Sequence, residues 1–136
     1  MAERVELNWK GRGMVFEGRR DDRHAITIDG DGAEAVSPLT AFLLGIGACT
    51  ASDVVDIAGK MRVPVESFDL VIEGSRVREM PRRYTALRFE YRLGGVAEPD
   101  HDKLRRAVAL SHEKYCSALN TLRPDIDLST DIIFED

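Results

Sequence analysis

The chain has 136 residues, 43% apolar and 32% charged, with a formal net charge of −5. That length and mix predict one soluble globular domain over residues 1–136, able to build a core without disulfide or metal staples. The acidic balance argues against non-specific binding to nucleic acid or an anionic membrane surface, and polar residues interrupt every apolar run before the roughly 18 residues of a membrane span.

Alternation comes first along the chain. Val5, Leu7 and Trp9 share one face of a strand, Met14 and Phe16 suggest a second, and Ile26 and Ile28 mark a third that ends in the turn-rich DGDG of Asp29 to Gly32. Ser37-Pro38 then opens a helix, because serine caps and proline suits the first helical position. Leu39, Phe42, Leu43 and Ile46 keep helical spacing, and Val54, Ile57, Ala58 and Met61 resume it. Gly45 and Gly47 between them weaken the helix by about 1 kcal/mol each relative to alanine, so the reading is one long helix ending near Gly59 to Arg62 before Pro64, with a kink or break near Gly47 as its alternative. Phe68, Leu70 and Ile72, then Leu87, Phe89, Tyr91 and Leu93, predict a long antiparallel hairpin connected through EMPRR. A helix is expected from about Asp100 to about Leu119, with Leu104, Ala107, Val108, Ser111, Tyr115 and Leu119 as its apolar stripe and Cys116 at the flank. Ile126 to Phe134 alternate as a last strand. The order βββ-α-ββ-α-β implies an α+β fold with helices on a largely antiparallel sheet.

The two cysteines, Cys49 and Cys116, carry the chemical question. The N-terminus MAERVELNWKG has no apolar signal-peptide core, so the expected compartment is the cytoplasm, where a permanent disulfide is unusual. Two buried thiols, or a pair that bridges transiently, remain. A helix break at Gly47 would put Cys49 in a first helical turn, where free N–H groups favour a thiolate. Bringing a thiol from about 8.5 to about 6 takes roughly 3.4 kcal/mol, while a helix terminus supplies at best about 2. A cation must assist, and Arg19, Arg20 and Arg23 cluster before the third strand. Packing alone also accounts for a cysteine among small residues.

His112 and Cys116, four apart on one helical face, with Cys49 as a third donor, would make a zinc set; His112 reads better as a hydrogen-bonding residue at the core edge, and no metal or cofactor is expected. The arginines of the hairpin, interleaved with Tyr84, Phe89 and Tyr91, read as a solvated face rather than a nucleic-acid surface. Asp53 and Asp56 read as surface charges. The nucleophile elbow, phosphate-binding loop and dinucleotide fingerprint are absent from the sequence.

SPLTAFLLGIGACTASDVV (Ser37 to Val55) and LSHEKYCSALNTLR (Leu110 to Arg123) resemble the OsmC/Ohr superfamily, closest to its YhfA-like branch. The resemblance spans about Phe16 to the C-terminus. It implies an intertwined homodimer with long central helices and sites at the subunit interface. It further implies a thiol-dependent peroxidase that reduces organic hydroperoxides in oxidative-stress defence. Cys49 would be the peroxidatic and Cys116 the resolving cysteine, a dithiol would be the reductant, and one of Arg19, Arg20 or Arg23 would stabilise the thiolate. The family's peroxidases carry a glutamate one residue after the helix-opening proline, shifted one place later in YhfA-like chains; here those positions are Leu39 and Thr40. Glu17 and Glu34 are the acids that would compensate. The alternative reading is a non-enzymatic dimer of this fold that binds a small apolar or electrophilic ligand between its helices.

Overall fold

A computed structural model describes residues 2–136, which divide into two compact units, 2–44 and Gly45–Asp136. In the first, β1 (Glu6–Trp9), β2 (Val15–Arg19) and β3 (Ala25–Asp29) form an antiparallel sheet in that order, with Trp9 opposite Phe16 and Phe16 opposite Ile28. Its buried positions are few. Val15 is covered, whereas Met14, expected to alternate inward, is exposed along with Val5, Leu7, Trp9 and Ile26. The DGDG turn folds around Asp29, whose carboxylate accepts the backbone N–H groups of Asp31, Ala33 and Glu34 at 2.9–3.1 Å. Those bonds hold its pKa below the ordinary carboxylate value although the residue is buried.

Helix α1 (Pro38–Lys60) opens as the sequence predicts: Ser37 Oγ accepts the Thr40 N–H at 3.2 Å and proline follows it. It is the one long helix the sequence reading expects, running unbroken through both glycines without the alternative break near Gly47. Gly47 is there for contact. A Cβ on it would lie 2.8 Å from Ile72 Cδ1, so its missing side chain lets β4 (Ser67–Arg76) approach the helix. The helix ends by a Schellman pair, Val63 N–H to Ala58 O at 2.9 Å and Arg62 N–H to Gly59 O at 3.1 Å, with Arg62 in the left-handed region at φ 59°.

In the second unit, β4 and β5 (Tyr84–Gly94) make the predicted antiparallel hairpin. The last strand, β6 (Asp127–Glu135), adds to β5 in parallel, so the sheet order is β4-β5-β6 and the intervening helix α2 (His101–Leu110) supplies the crossover a parallel pair requires. Leu87, Phe89, Tyr91 and Leu93 alternate along β5 and are buried, each worth about 1.5–3 kcal/mol of burial. Ile46, Thr50, Val54 and Ala58 form the buried stripe of α1, and Leu104, Ala107 and Val108 that of α2.

Two expectations are corrected here. The second helix does not continue to Leu119. After Leu110 it widens into a π turn, Ser111–Tyr115, and Cys116 leaves it with an extended backbone. Tyr115, expected on the apolar stripe, is half exposed. By length and composition alone α1 could cross a membrane, a property it shares with the core helices of soluble proteins.

Candidate functional site

The site is built from the middle of α1 and the exit of α2, both within the second unit. Cys49 and Asp53 are four residues apart on α1 and therefore share a face. Cys116 arrives from the π turn. Its N–H donates to Ser111 O at 2.8 Å, an i to i+5 closure that sets residue 116 over residue 111 rather than over His112. The two sulfurs and a carboxylate oxygen of Asp53 all lie within 4.8 Å of one another, and both thiols are free. Cys49 is half-buried and Cys116 fully buried.

Ser111 ties the trio to the scaffold. Its hydroxyl, itself buried, donates to Asp53 Oδ2 at 2.9 Å and lies 3.4 Å from Thr50 O. Burial pushes the Cys116 thiol from its ordinary 9.0 up to about 11; the Leu119 N–H, 3.3 Å from Sγ, opposes this, while a hydrogen bond with Cys49 and the charges of Cys49 and Asp53 add to it. Beside the trio, Tyr91 OH and His112 Nε2 are 2.6 Å apart, and the Phe89 ring meets His112 edge-on at 4.8 Å. Burial raises the Tyr91 phenol to about 12, partly offset by a hydrogen bond with Thr50, and lowers His112 from 6.5.

Several sequence expectations change. With α1 continuous, Cys49 sits in mid-helix, where every N–H is already bonded and the terminal charge of the helix does not reach it. His112 shares its Nε2 with Tyr91 and is outside the converging trio; the π turn rotates it out of the expected zinc face. Asp53 is no free surface charge, unlike Asp56, which pairs with exposed Lys60 at 2.9 Å. The signals that would have found the missed pair were the Cys49–Asp53 spacing and a serine within the apolar stripe of α2. Arg19, Arg20 and Arg23 all lie in the first unit: Arg19 on β2 is paired with Glu17, and Arg20 and Arg23 are exposed in the β2–β3 connection. Glu34 holds Arg12, with Nε and Nη2 donating at 2.7–3.1 Å.

A trio of this kind can close a disulfide or hold a soft cation, and comparison with known proteins narrows its ancestry. The model of the OsmC-like protein family matches residues 30–131. Protein YhfA of Escherichia coli strain K12 is 34% identical over 118 residues, 86% of this chain and 87% of its own. A crystal structure of a hypothetical protein from Aquifex aeolicus VF5 superposes with a TM-score of 0.85 at 28% identity, covering 100% of this chain and 99% of that one. An organic hydroperoxide resistance protein, OsmC of Legionella pneumophila, shares the fold at a TM-score of 0.69 and 18% identity, over 98% of this chain and 97% of that one. The chain belongs to the OsmC-like family.

Proposed function

We propose that this protein is a cytoplasmic homodimeric thiol peroxidase that reduces organic hydroperoxides through Cys49 and Cys116. The observation that carries the reading is the adjacency of two reduced sulfurs of unequal exposure. The half-buried Cys49 is the attacker: its thiolate takes the outer peroxide oxygen, the O–O bond breaks, and the departing alkoxide collects a proton to leave as alcohol. Cys116 Sγ then attacks the Cys49 sulfenic acid, expelling water and closing the S–S bond at about 2.05 Å. A dithiol reductant restores both thiols by exchange. The raised Cys116 pKa fits a resolving thiol that stays protonated until its partner is oxidised.

One of Arg19, Arg20 and Arg23, from this chain or a second copy, is the cation proposed to stabilise the Cys49 thiolate. A second copy of the chain is the proposed cover for Val5, Leu7, Trp9 and Ile26, and for the open groove on α1 lined by Ala48, Ala51, Ser52 and Val55. Small residues at that groove permit close helix approach.

A second reading, a non-enzymatic binder of a small apolar or electrophilic ligand, draws on a cavity of about 360 Å³ lined by Val54, Ala58, Val63, Val65, Phe68 and Leu93. One experiment separates the two. Fully reduced wild type, Cys49→Ser and Cys116→Ser each receive one equivalent of cumene hydroperoxide, and free thiols and intact mass are followed. The peroxidase loses both thiols and two hydrogens rapidly, and Cys116→Ser accumulates a trappable sulfenic acid. Unreacted thiols in a folded wild type, or equal peroxide consumption by Cys49→Ser, would sink the mechanism.

A further inference from the structure

We propose that reduced Cys49 and Cys116 together with Asp53 form a binding site for one thiophilic divalent cation of the zinc class. The inference stands apart from the peroxidase reading, since it needs two thiols and a carboxylate in place but no hydroperoxide chemistry.

Two sulfur donors and one carboxylate oxygen suit zinc, which accepts thiolate and carboxylate in one tetrahedral shell. Zn–S bonds of about 2.3 Å and a Zn–O bond of about 2.0 Å place tetrahedral donors about 3.5–3.8 Å apart. The three donor atoms already lie within 4.8 Å of one another, so the largest closure required is about 1.3 Å. Side-chain rotation on the half-buried Cys49 is the cheapest source of that movement, because Cys116 and Asp53 are both tethered.

The surroundings look after two of the three donors. Ser111 Oγ donates to Asp53 Oδ2 and orients the carboxylate, leaving it spare lone pairs for a cation. The Leu119 N–H donates to Cys116 Sγ, a bond that a metal thiolate retains and that favours the deprotonated sulfur. Two thiolates and a carboxylate crowded together repel one another; a divalent cation is the species that relieves this. As the two sulfur–metal bonds form, the two thiol protons pass to solvent and no electron is transferred. The fourth position stays open to water, as in zinc sites with three protein ligands.

The donors are also the atoms that a disulfide consumes. Oxidation of the pair removes both thiolates, so cation binding and oxidation exclude each other, and the bound cation shields the pair from oxidant. His112 takes no part, because its Nε2 is engaged with Tyr91 and the ring is outside the trio.

The test uses the full chain, reduced and anaerobic, titrated with Co²⁺ while the thiolate-to-cobalt charge-transfer band is followed, with Zn²⁺ then added to displace it. One equivalent per chain is expected, with the band lost in the Cys49–Cys116 disulfide form. Asp53→Asn should weaken binding about 10-fold or more, and His112→Gln should leave it unchanged. Far-UV circular dichroism accompanies each variant, and if Asp53→Asn does not fold, the reduced-against-oxidised comparison in wild type decides. Absence of binding by reduced wild type, binding retained by the disulfide form, a folded Asp53→Asn with wild-type affinity, or loss in a folded His112→Gln would each overturn the assignment.

Discussion

Selective alkylation of the two thiols follows from the electrostatics of the site. Alkylating reagents attack thiolate, so the rate at a given pH scales with the ionised fraction. Burial raises the Cys116 thiol from 9.0 to about 11, two decades, and at pH 7 this leaves roughly one molecule in ten thousand ionised there. Ionisation alone therefore slows Cys116 about 100-fold relative to an ordinary thiol, and its complete burial slows it further, whereas Cys49 is partly open to reagent. The assay treats reduced, chelator-stripped protein with iodoacetamide at pH 7, quenches over time, and reads modification at each cysteine by peptide mass spectrometry. Cys49 should be labelled first and Cys116 only on unfolding in guanidinium, where the two rates converge. Comparable rates at the two cysteines in the folded protein would refute the claim that the fold suppresses the Cys116 thiolate. An ordering reversed in favour of Cys116 would also exchange the proposed attacking and resolving roles.

Ser111→Ala removes the hydroxyl that donates to Asp53 at 2.9 Å, and a hydrogen bond to a charged partner predicts a loss of about 1.5–3 kcal/mol in urea unfolding. Burial holds the His112 pKa below 6.5, so the unfolded chain takes up a proton there before the folded one does. Its stability contribution is complete above pH 6.5 and is lost as pH falls through the folded pKa, and His112→Gln should flatten that part of the pH–stability curve. Ser37→Ala deprives the Thr40 N–H of its cap and should cost about 1 kcal/mol, read as a lower urea midpoint with unchanged slope. Arg62→Gly relieves a left-handed residue at φ 59° at the end of α1, and a gain of up to about 1 kcal/mol is expected in the same assay.

What the sequence determined by itself was local. The strand alternation, the Ser37-Pro38 helix start, the β4–β5 hairpin and the order of elements all follow from periodicity and capping, which act within a few residues. The two cysteine motifs likewise carry the family resemblance, since GACT and SHEKYC are contiguous in the chain.

Tertiary structure decided the rest. Glycine propensity left a break at Gly47 open beside the long helix, and the close approach of Ile72 turns the same glycine into a packing device within a continuous helix. Nothing in the local sequence announces that α2 changes from i to i+4 to i to i+5 bonding at Ser111. That one-residue shift buries Cys116, turns His112 toward Tyr91 and brings Ser111 against Asp53. A helical wheel drawn from sequence cannot register it, and so an aspartate that looked like solvent-facing charge became the third member of the site.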